Sequence, residues 1–469
     1  MKHFSEKEVV RAWQQQVLHR SRLVTEEGEP VRIIYPGRIN HDAGADYRDA
    51  VIATGGKVVK GDIEVHVKSS DWAAHGHQRD SLYNRVVLHV VLDDNAGGTN
   101  LANGRAIPVI SLGRFMETPL PEQEYLCPPC LHVAERWPAG VLTEFLDRAG
   151  DERFLTKAAG FRAELRETEA DEVLYRGIMS ALGYAKNVPG FLELARRLPL
   201  AVLESFDHGG LSDQEYLHQQ QARLLGTAGW LKAGRDWRQW HGSGIILAGK
   251  LAELWHSLPH GEIMSVQSWQ WCKVRPNNSP LRRLIALSYL LCRYRRQGLQ
   301  AGLLDAVRSV PSDKAYLQLE AALVVYAWPD TTKTSNSWTK QTLLGHGRAA
   351  DIIVNVWLPF TSAWGEACGQ PELAAKAQTI YRNYPRLTAN SIERHMAGQF
   401  GLPHRQINSA RRQQGLIHIY RYRCAEGKCD TCGLAEFHAR PDIQVRPIDF
   451  ARLKAEVPAG GNHGGVIGA

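Results

Sequence analysis

Between Gly61 and Ser69 the chain interleaves Asp62, Glu64, His66 and Lys68 with Ile63, Val65 and Val67. Successive side chains of a β-strand point to opposite faces, so this order sends the aliphatic residues towards a core and lines the four polar ones along the other face. Asp46 comes within reach of that line if the strand before it pairs antiparallel. Two carboxylates beside an imidazole and an ammonium suit a divalent cation and a general base. Asp46 and Glu64, with the Val65 carbonyl, offer hard oxygen ligands to Mg²⁺ or Mn²⁺. His66 or Lys68 would orient or deprotonate the attacking water, and His66 could instead become a nitrogen ligand, favouring Mn²⁺ or Zn²⁺. Asp46, Glu64, His66 and Lys68 are therefore the candidate catalytic residues, with Asp62 a weaker one at the edge of the strand. A plain antiparallel sheet with a solvated polar face would show the same alternation.

A second metal reading centres on His75-Gly76-His77 with Asp80 and on His89 in a later strand. Joined to His66, these residues have the composition of a zinc site, and His66, His75 and His77 together suggest a zinc-dependent hydrolase. Taken alone, His89 reads as a hydrogen-bonded core histidine.

The elements that must hold these residues follow from pattern. Val9, Val10, Trp13 and Val17 recur at helical spacing from Glu6 to about Arg20. Val31 to Tyr35 reads as a strand closed by Pro36-Gly37, and a loop from Asn40 to Ala45 delivers Asp46 to a second strand, Tyr47 to Ala53. A Gly55-Gly56 turn leads into the third strand, Val58 to Lys68. Asp71 to Asn84 is a loop and short helix. Val86 to Leu92 is a nearly unbroken apolar run, which suits a strand buried on both faces, and Arg105 to Leu112 is a fifth strand.

The order helix, three strands, helix, strand, strand resembles the core of the PD-(D/E)xK, or restriction-endonuclease-like, nuclease superfamily. That superfamily carries an Asp at the start of the second core strand and, on the third, an acidic residue, one position, then usually Lys. Gly44-Ala45-Asp46-Tyr47 and Glu64-Val65-His66 are similar to those half-sites, with Ala45 in place of Pro and His66 in place of Lys. The resemblance implies metal-dependent cleavage of phosphodiester bonds. More broadly, the chain is identified as a member of an uncharacterised bacterial family described only as a domain of unknown function. The residues that carry this are Gly61 to Trp72 with His75 and His77, Val86 to Val91, Leu182 to Asn187, Val274 to Pro280 with Arg282, and Gln413 to Ile417.

The 469 residues, 44% of them hydrophobic, are enough for several domains with real cores and exclude a disordered chain. The net charge of +7 favours polyanionic partners, so nucleic acid, DNA or RNA, is the expected partner. A polar start from Met1 to Glu8 and the lack of any long apolar run predict a cytoplasmic protein with no membrane partner. Residues 1–117 form the nuclease-like domain, 118–139 a Pro-rich linker with Cys127-Pro128-Pro129-Cys130, and 140–387 an irregular all-helical domain without strands. In that domain Trp269 and Trp271 are interleaved with Lys273, Arg275, Asn277 and Arg282, a pattern able to grip phosphates and stack bases.

Residues 388–456 read as a helix-turn-helix-like pair, its second helix spanning His404 to Gln414 and bearing Arg405, Arg411 and Arg412. A strand-like stretch from Ile417 to Tyr420 and a Cys cluster follow. Cys424, Cys429 and Cys432, with Cys127 or Cys130 as fourth ligand, fit a structural Zn²⁺ or an iron-sulfur cluster. Residues 457–469 form a Gly-rich tail expected to be disordered. The fold class expected is α+β: a restriction-endonuclease-like core, an irregular all-α domain and a carboxy-terminal Cys-rich metal-binding segment. The functions expected are a metal-dependent nuclease, a non-catalytic nucleic-acid-binding or scaffolding protein that kept the nuclease fold, or a zinc-dependent hydrolase.

Overall fold

The structure, a computed structural model, describes residues 5–15, 23–113, 130, 133–205, 210–231, 245–271, 274, 278–311, 314–327, 342–429 and 431–434. It is a mixed α/β protein that divides into two compact units, one holding 1–150, 389–407 and 412–469, the other 151–388 and 408–411.

The first unit opens with α1 (Glu6–Gln15), then β1 (Val31–Tyr35), β2 (Arg38–Ile39), β3 (Tyr47–Thr54) and β4 (Lys57–Lys68). A short helix, α2 (Asp71–Ala74), and two 3₁₀ turns, His77–Arg79 and Ser81–Tyr83, lead to β5 (Val86–Asp93), β6 (Thr99–Asn100), β7 (Ala106–Ile107) and β8 (Val109–Ser111). The main sheet runs β1-β3-β4-β5-β8, with β2 on β3. β3 is antiparallel to β1 and β4, whereas β4, β5 and β8 are mutually parallel neighbours. Gly55 and Gly56 both have positive φ, 54° and 70°, which is what a tight two-residue hairpin between twisted strands requires. The parallel β4-β5 pair needs a crossover, and the α2 and 3₁₀ segment supplies it.

Ile63 and Val65 of β4 pack with Val9 and Trp13 of α1 and with Leu88 and Val90 of β5 in one core. The opposite face of β4 is buried as well. Asp62, Glu64 and His66, together with His89 of β5, lie at or below 5% exposure. A small apolar cluster of Ala45, Trp72, Val86, Leu101 and Ile107 packs close by, with Tyr83 against it. Buried carboxylates and imidazoles need partners, so the partners of this face are what matter below.

The fifth strand is shorter than the sequence suggests. Pro108 has no N–H to give a ladder and splits the stretch into β7 and β8, while its carbonyl accepts the His89 N–H at 3.0 Å. At Asp49 the β3-β4 register slips, and Asp49 takes a positive φ of 62°.

The carboxy-terminal helices Ser391–Phe400 and Ala410–Tyr422 contribute to the first unit. Ile417 to Tyr420 is helix, not strand: Leu416, Ile419 and Tyr420 fall at helical spacing and bury one stripe, which a four-residue apolar run cannot distinguish from a strand. The second helix starts at Ala410 instead of His404, because His404–Gln406 forms a separate 3₁₀ turn.

The second unit is helical from Ala170–Gly183 to Pro371–Arg382. It also contains a short antiparallel ladder between Val325–Tyr326 and Thr342–Leu344, where the sequence suggests a helix continuing to Trp328 and no strands. The helix stops at Leu323, and Val324 is already extended. Among the described residues no helix is long and apolar enough to cross a membrane.

Candidate functional site

Asp46 lies just before β3, and the Tyr47-Ile63 pairing sets it beside Glu64. The Asp46 N–H donates to Glu64 Oε2 at 3.0 Å, and the Val65 N–H donates to Asp46 Oδ2 at 3.1 Å. The carboxyls are thus locked across the two strands. Burial first, and then the Glu64 carboxylate, push Asp46 up to about 7, against the lowering effect of the Val65 N–H.

Two imidazoles, those of His66 and His77, close on Glu64. Its Oε1 lies 3.5 Å from His66 Nε2 and 3.3 Å from His77 Nε2. His75 Nδ1 lies 3.2 Å from His66 Nε2, and the His66 and His77 rings stack at 5.3 Å between centroids. One donor atom from each of His66, His75 and His77 falls within 4.8 Å of the others. His66 and His77 are buried and His75 is exposed, so the group is open on the His75 side. Gly76, with φ 76°, makes the turn that lets His75 end α2 while His77 begins the next turn, and a side chain there would be strained. Tyr83 stacks on the far side of His77 at 3.8 Å, and Trp72 packs edge-on at 5.3 Å.

A second line of bonds orients His66. Its Nδ1 is 2.9 Å from His89 Nε2, and His89 Nδ1 is 2.8 Å from Thr99 Oγ1. With a proton on each Nδ1, this chain leaves the His66 Nε2 lone pair facing His75 and the Glu64 carboxylate. Burial, reinforced by the neighbouring imidazoles, lowers His66 to about 3 and His89 to about 4, so both rings are neutral at physiological pH.

The donor set fits a metal ion. His77 Nε2 is buried and has no hydrogen-bond partner although it points at Glu64, a costly arrangement for a structural histidine and a natural one for a ligand. Three imidazole nitrogens and a carboxylate suit Zn²⁺ or Mn²⁺ better than Mg²⁺, which prefers an all-oxygen shell.

Other candidate residues lie elsewhere. Lys68 stands exposed at the end of β4, about 13 Å along the strand from Glu64 at the usual rise per residue. Asp62 is held by Arg48 at 2.9 Å and by the Asp49 N–H at 3.2 Å, a structural anchor. Asp80 caps a 3₁₀ turn by accepting the Leu82 N–H. In the second unit, Arg282 donates to the Thr342 carbonyl, and Arg411 makes a two-pronged bond to Asp151 at 2.8 and 2.6 Å. In the first unit Arg412 does the same to Asp147 at 3.0 and 3.2 Å, while Arg405 is exposed. Lys273, Arg275, Asn277 and Cys127 lie outside the described residues. Cys130, Cys424 and Cys432 are buried, and Cys429 is partly so. The sequence reading missed Tyr83, Trp72 and Thr99, whose roles depend on packing that no local spacing signals.

Residues 6–389 match a family described as "Protein of unknown function (DUF2851)". The chain belongs to that family. The matched region of this DUF2851 chain contains Asp46, Glu64 and all four histidines of the site, and ends before Cys424, Cys429 and Cys432. Comparison with curated proteins and with solved structures finds no match.

Proposed function

We propose that this chain is a metal-dependent phosphodiester hydrolase acting on DNA or RNA, with His66, His75, His77 and Glu64 holding the ion and Asp46 beside it as proton acceptor. The observation that carries the reading is the clustering of three imidazoles, two of them against the buried Glu64 carboxylate, with a second carboxyl locked alongside. Along the main sheet, the order α1, β1, β3, β4, the α2 segment, β5 and β8 supports the likeness to the PD-(D/E)xK core. The net charge of +7 supports a polyanionic substrate.

In this reading Glu64 and the histidines hold and orient, the ring of His66 being fixed through His89 and Thr99. A bound divalent ion supplies Lewis-acid stabilisation of the phosphate and lowers the pKa of the attacking water. Asp46, locked beside Glu64, accepts the proton. His66 takes the sequence position usual for Lys, and its work is ligation, because its Nε2 faces the other donors and not open solvent. Lys68 stays outside the reacting group, and Cys130, Cys424, Cys429 and Cys432 play no part in the chemistry.

The test is cleavage of labelled DNA and RNA by purified protein with Mg²⁺, Mn²⁺, Zn²⁺ or EDTA, comparing wild type with Asp46→Asn and His77→Ala. Cleavage with Mn²⁺ or Zn²⁺ that both variants lose supports the proposal. Binding without cleavage under every metal supports the non-catalytic reading. The three nitrogen donors also favour a zinc hydrolase of another ester class. Activity on a nitrophenyl carboxylate ester but not on bis(nitrophenyl) phosphate would select that reading.

A further inference from the structure

A second group of metal-ligating side chains lies in a different core of the first unit. Cys130 joins Cys424, Cys429 and Cys432 there, although about three hundred residues separate the first from the rest. Cys130, Cys424 and Cys432 belong to an apolar cluster with Tyr35, Trp137, Phe145 and Leu434. Cys429 stands three residues before Cys432 on the same turn, so it is held at the edge of this cluster. None is in a disulfide.

Two features separate this group from ordinary buried thiols, which pack singly as small apolar side chains. The first is a donor aimed at sulfur. The Gln399 amide donates to Cys130 Sγ at 2.9 Å. A thiol is a weak acceptor, whereas a thiolate held by a cation takes such bonds as its usual outer shell. The second is local form. Here a 3₁₀ turn at Cys424–Glu426 leads through Gly427 at φ 67° to a turn in which the Cys432 N–H bonds the Cys429 carbonyl at 3.2 Å. Cys-x2-Cys on a tight turn is a ligand pair for zinc and for iron-sulfur clusters alike.

We propose that Cys130, Cys424, Cys429 and Cys432 hold a thiolate-bound metal centre, a zinc ion or an iron-sulfur cluster, which fastens the carboxy-terminal segment to this core. It is separate from the imidazole site and lies largely beyond the part of the chain matched to the family. Its role is structural, since three of its four ligands are buried and none adjoins Glu64 or the histidines in sequence.

The experiment uses full-length, untagged protein purified without oxygen and without added metal. Zinc, iron and acid-labile sulfide are measured in wild type, in a His75→Ala/His77→Ala variant and in Cys424→Ser. The histidine variant should keep a full equivalent of zinc, or iron with matching sulfide, and these two outcomes distinguish the centres. Cys424→Ser should lose that equivalent and melt at a lower temperature. If it fails to fold, X-ray absorption of the histidine variant decides: sulfur neighbours at about 2.3 Å are expected. A histidine variant free of zinc and iron, or a metal with only nitrogen and oxygen neighbours, overturns the proposal. Failure of hydrolysis leaves this result untouched, so the two sites are tested independently.

Discussion

Asp46→Asn should stabilise the fold of metal-free protein at alkaline pH, and in metal-loaded protein it should remove activity. In the folded chain burial and the Glu64 carboxylate push the Asp46 carboxyl up to about 7, from an ordinary value of 3.8. Below the unfolded value both states are protonated, and the group costs nothing. As pH rises towards 7 the unfolded chain loses its proton first, so the folded state becomes progressively penalised, and above about 7 the penalty is complete. About three pH units at ~1.36 kcal/mol each set an upper bound of ~4 kcal/mol, and sharing of the charge with Glu64 reduces it to roughly 1–3 kcal/mol. Asparagine keeps the shape and the acceptor for the Val65 N–H, and it replaces carboxylate repulsion with an amide able to donate to Glu64. For a unit of this size 1 kcal/mol moves Tm by about 2–4 °C. Thermal melts of chelator-treated wild type and variant at pH 5 and pH 8 should therefore show the variant's advantage growing by several degrees at the higher pH. An advantage independent of pH, or a variant less stable at pH 8, would refute the placement of two carboxyls in one buried site.

His89→Ala leaves His66 Nδ1 without its partner, and calorimetric titration should show Zn²⁺ or Mn²⁺ affinity falling about 10–100-fold. Gly61→Ala puts a Cβ 2.3 Å from the Arg85 carbonyl and the Val87 side chain, where β4 and β5 meet closely. Denaturant melts should show a loss of roughly 1–3 kcal/mol, with weaker metal binding as Glu64 and His66 shift. Tyr83→Phe should keep metal affinity because the stacked ring alone holds His77, whereas Tyr83→Ala should weaken it in the same titration. Arg411→Ala should lower stability by roughly 1–2 kcal/mol through Asp151 and leave the salt dependence of nucleic-acid binding unchanged, while a direct phosphate contact would lower that slope by about 1.

Much of the site was legible in the sequence because a strand has a fixed period. The alternation from Asp62 to Lys68 named Glu64 and His66, and the hairpin at Gly55-Gly56 was enough to bring Asp46 across to them. Alternation could not tell that the polar face is buried, since that depends on Trp72, Tyr83 and the crossover after β4. Nor could it exclude Lys68, which shares the face of Glu64 but lies exposed at the end of β4. The His75-Gly76-His77 spacing was visible, yet its convergence on His66 rests on one left-handed glycine and on ring stacking. Ile417 to Tyr420 was misread because an apolar run shorter than two helical turns carries no period of its own. Arg411 and Arg412 looked available for phosphate only until Asp151 and Asp147, more than two hundred residues away, were seen to pair with them.

The most direct test is diffraction from crystals grown with Zn²⁺ or Mn²⁺, with data collected at the metal's absorption edge. The account requires an anomalous peak about 2.0–2.2 Å from nitrogens of His66, His75 and His77 and from a Glu64 oxygen. Full loading of the crystal with no peak among those four side chains, or a peak held by Asp46 and Glu64 with the imidazoles turned away, would contradict it.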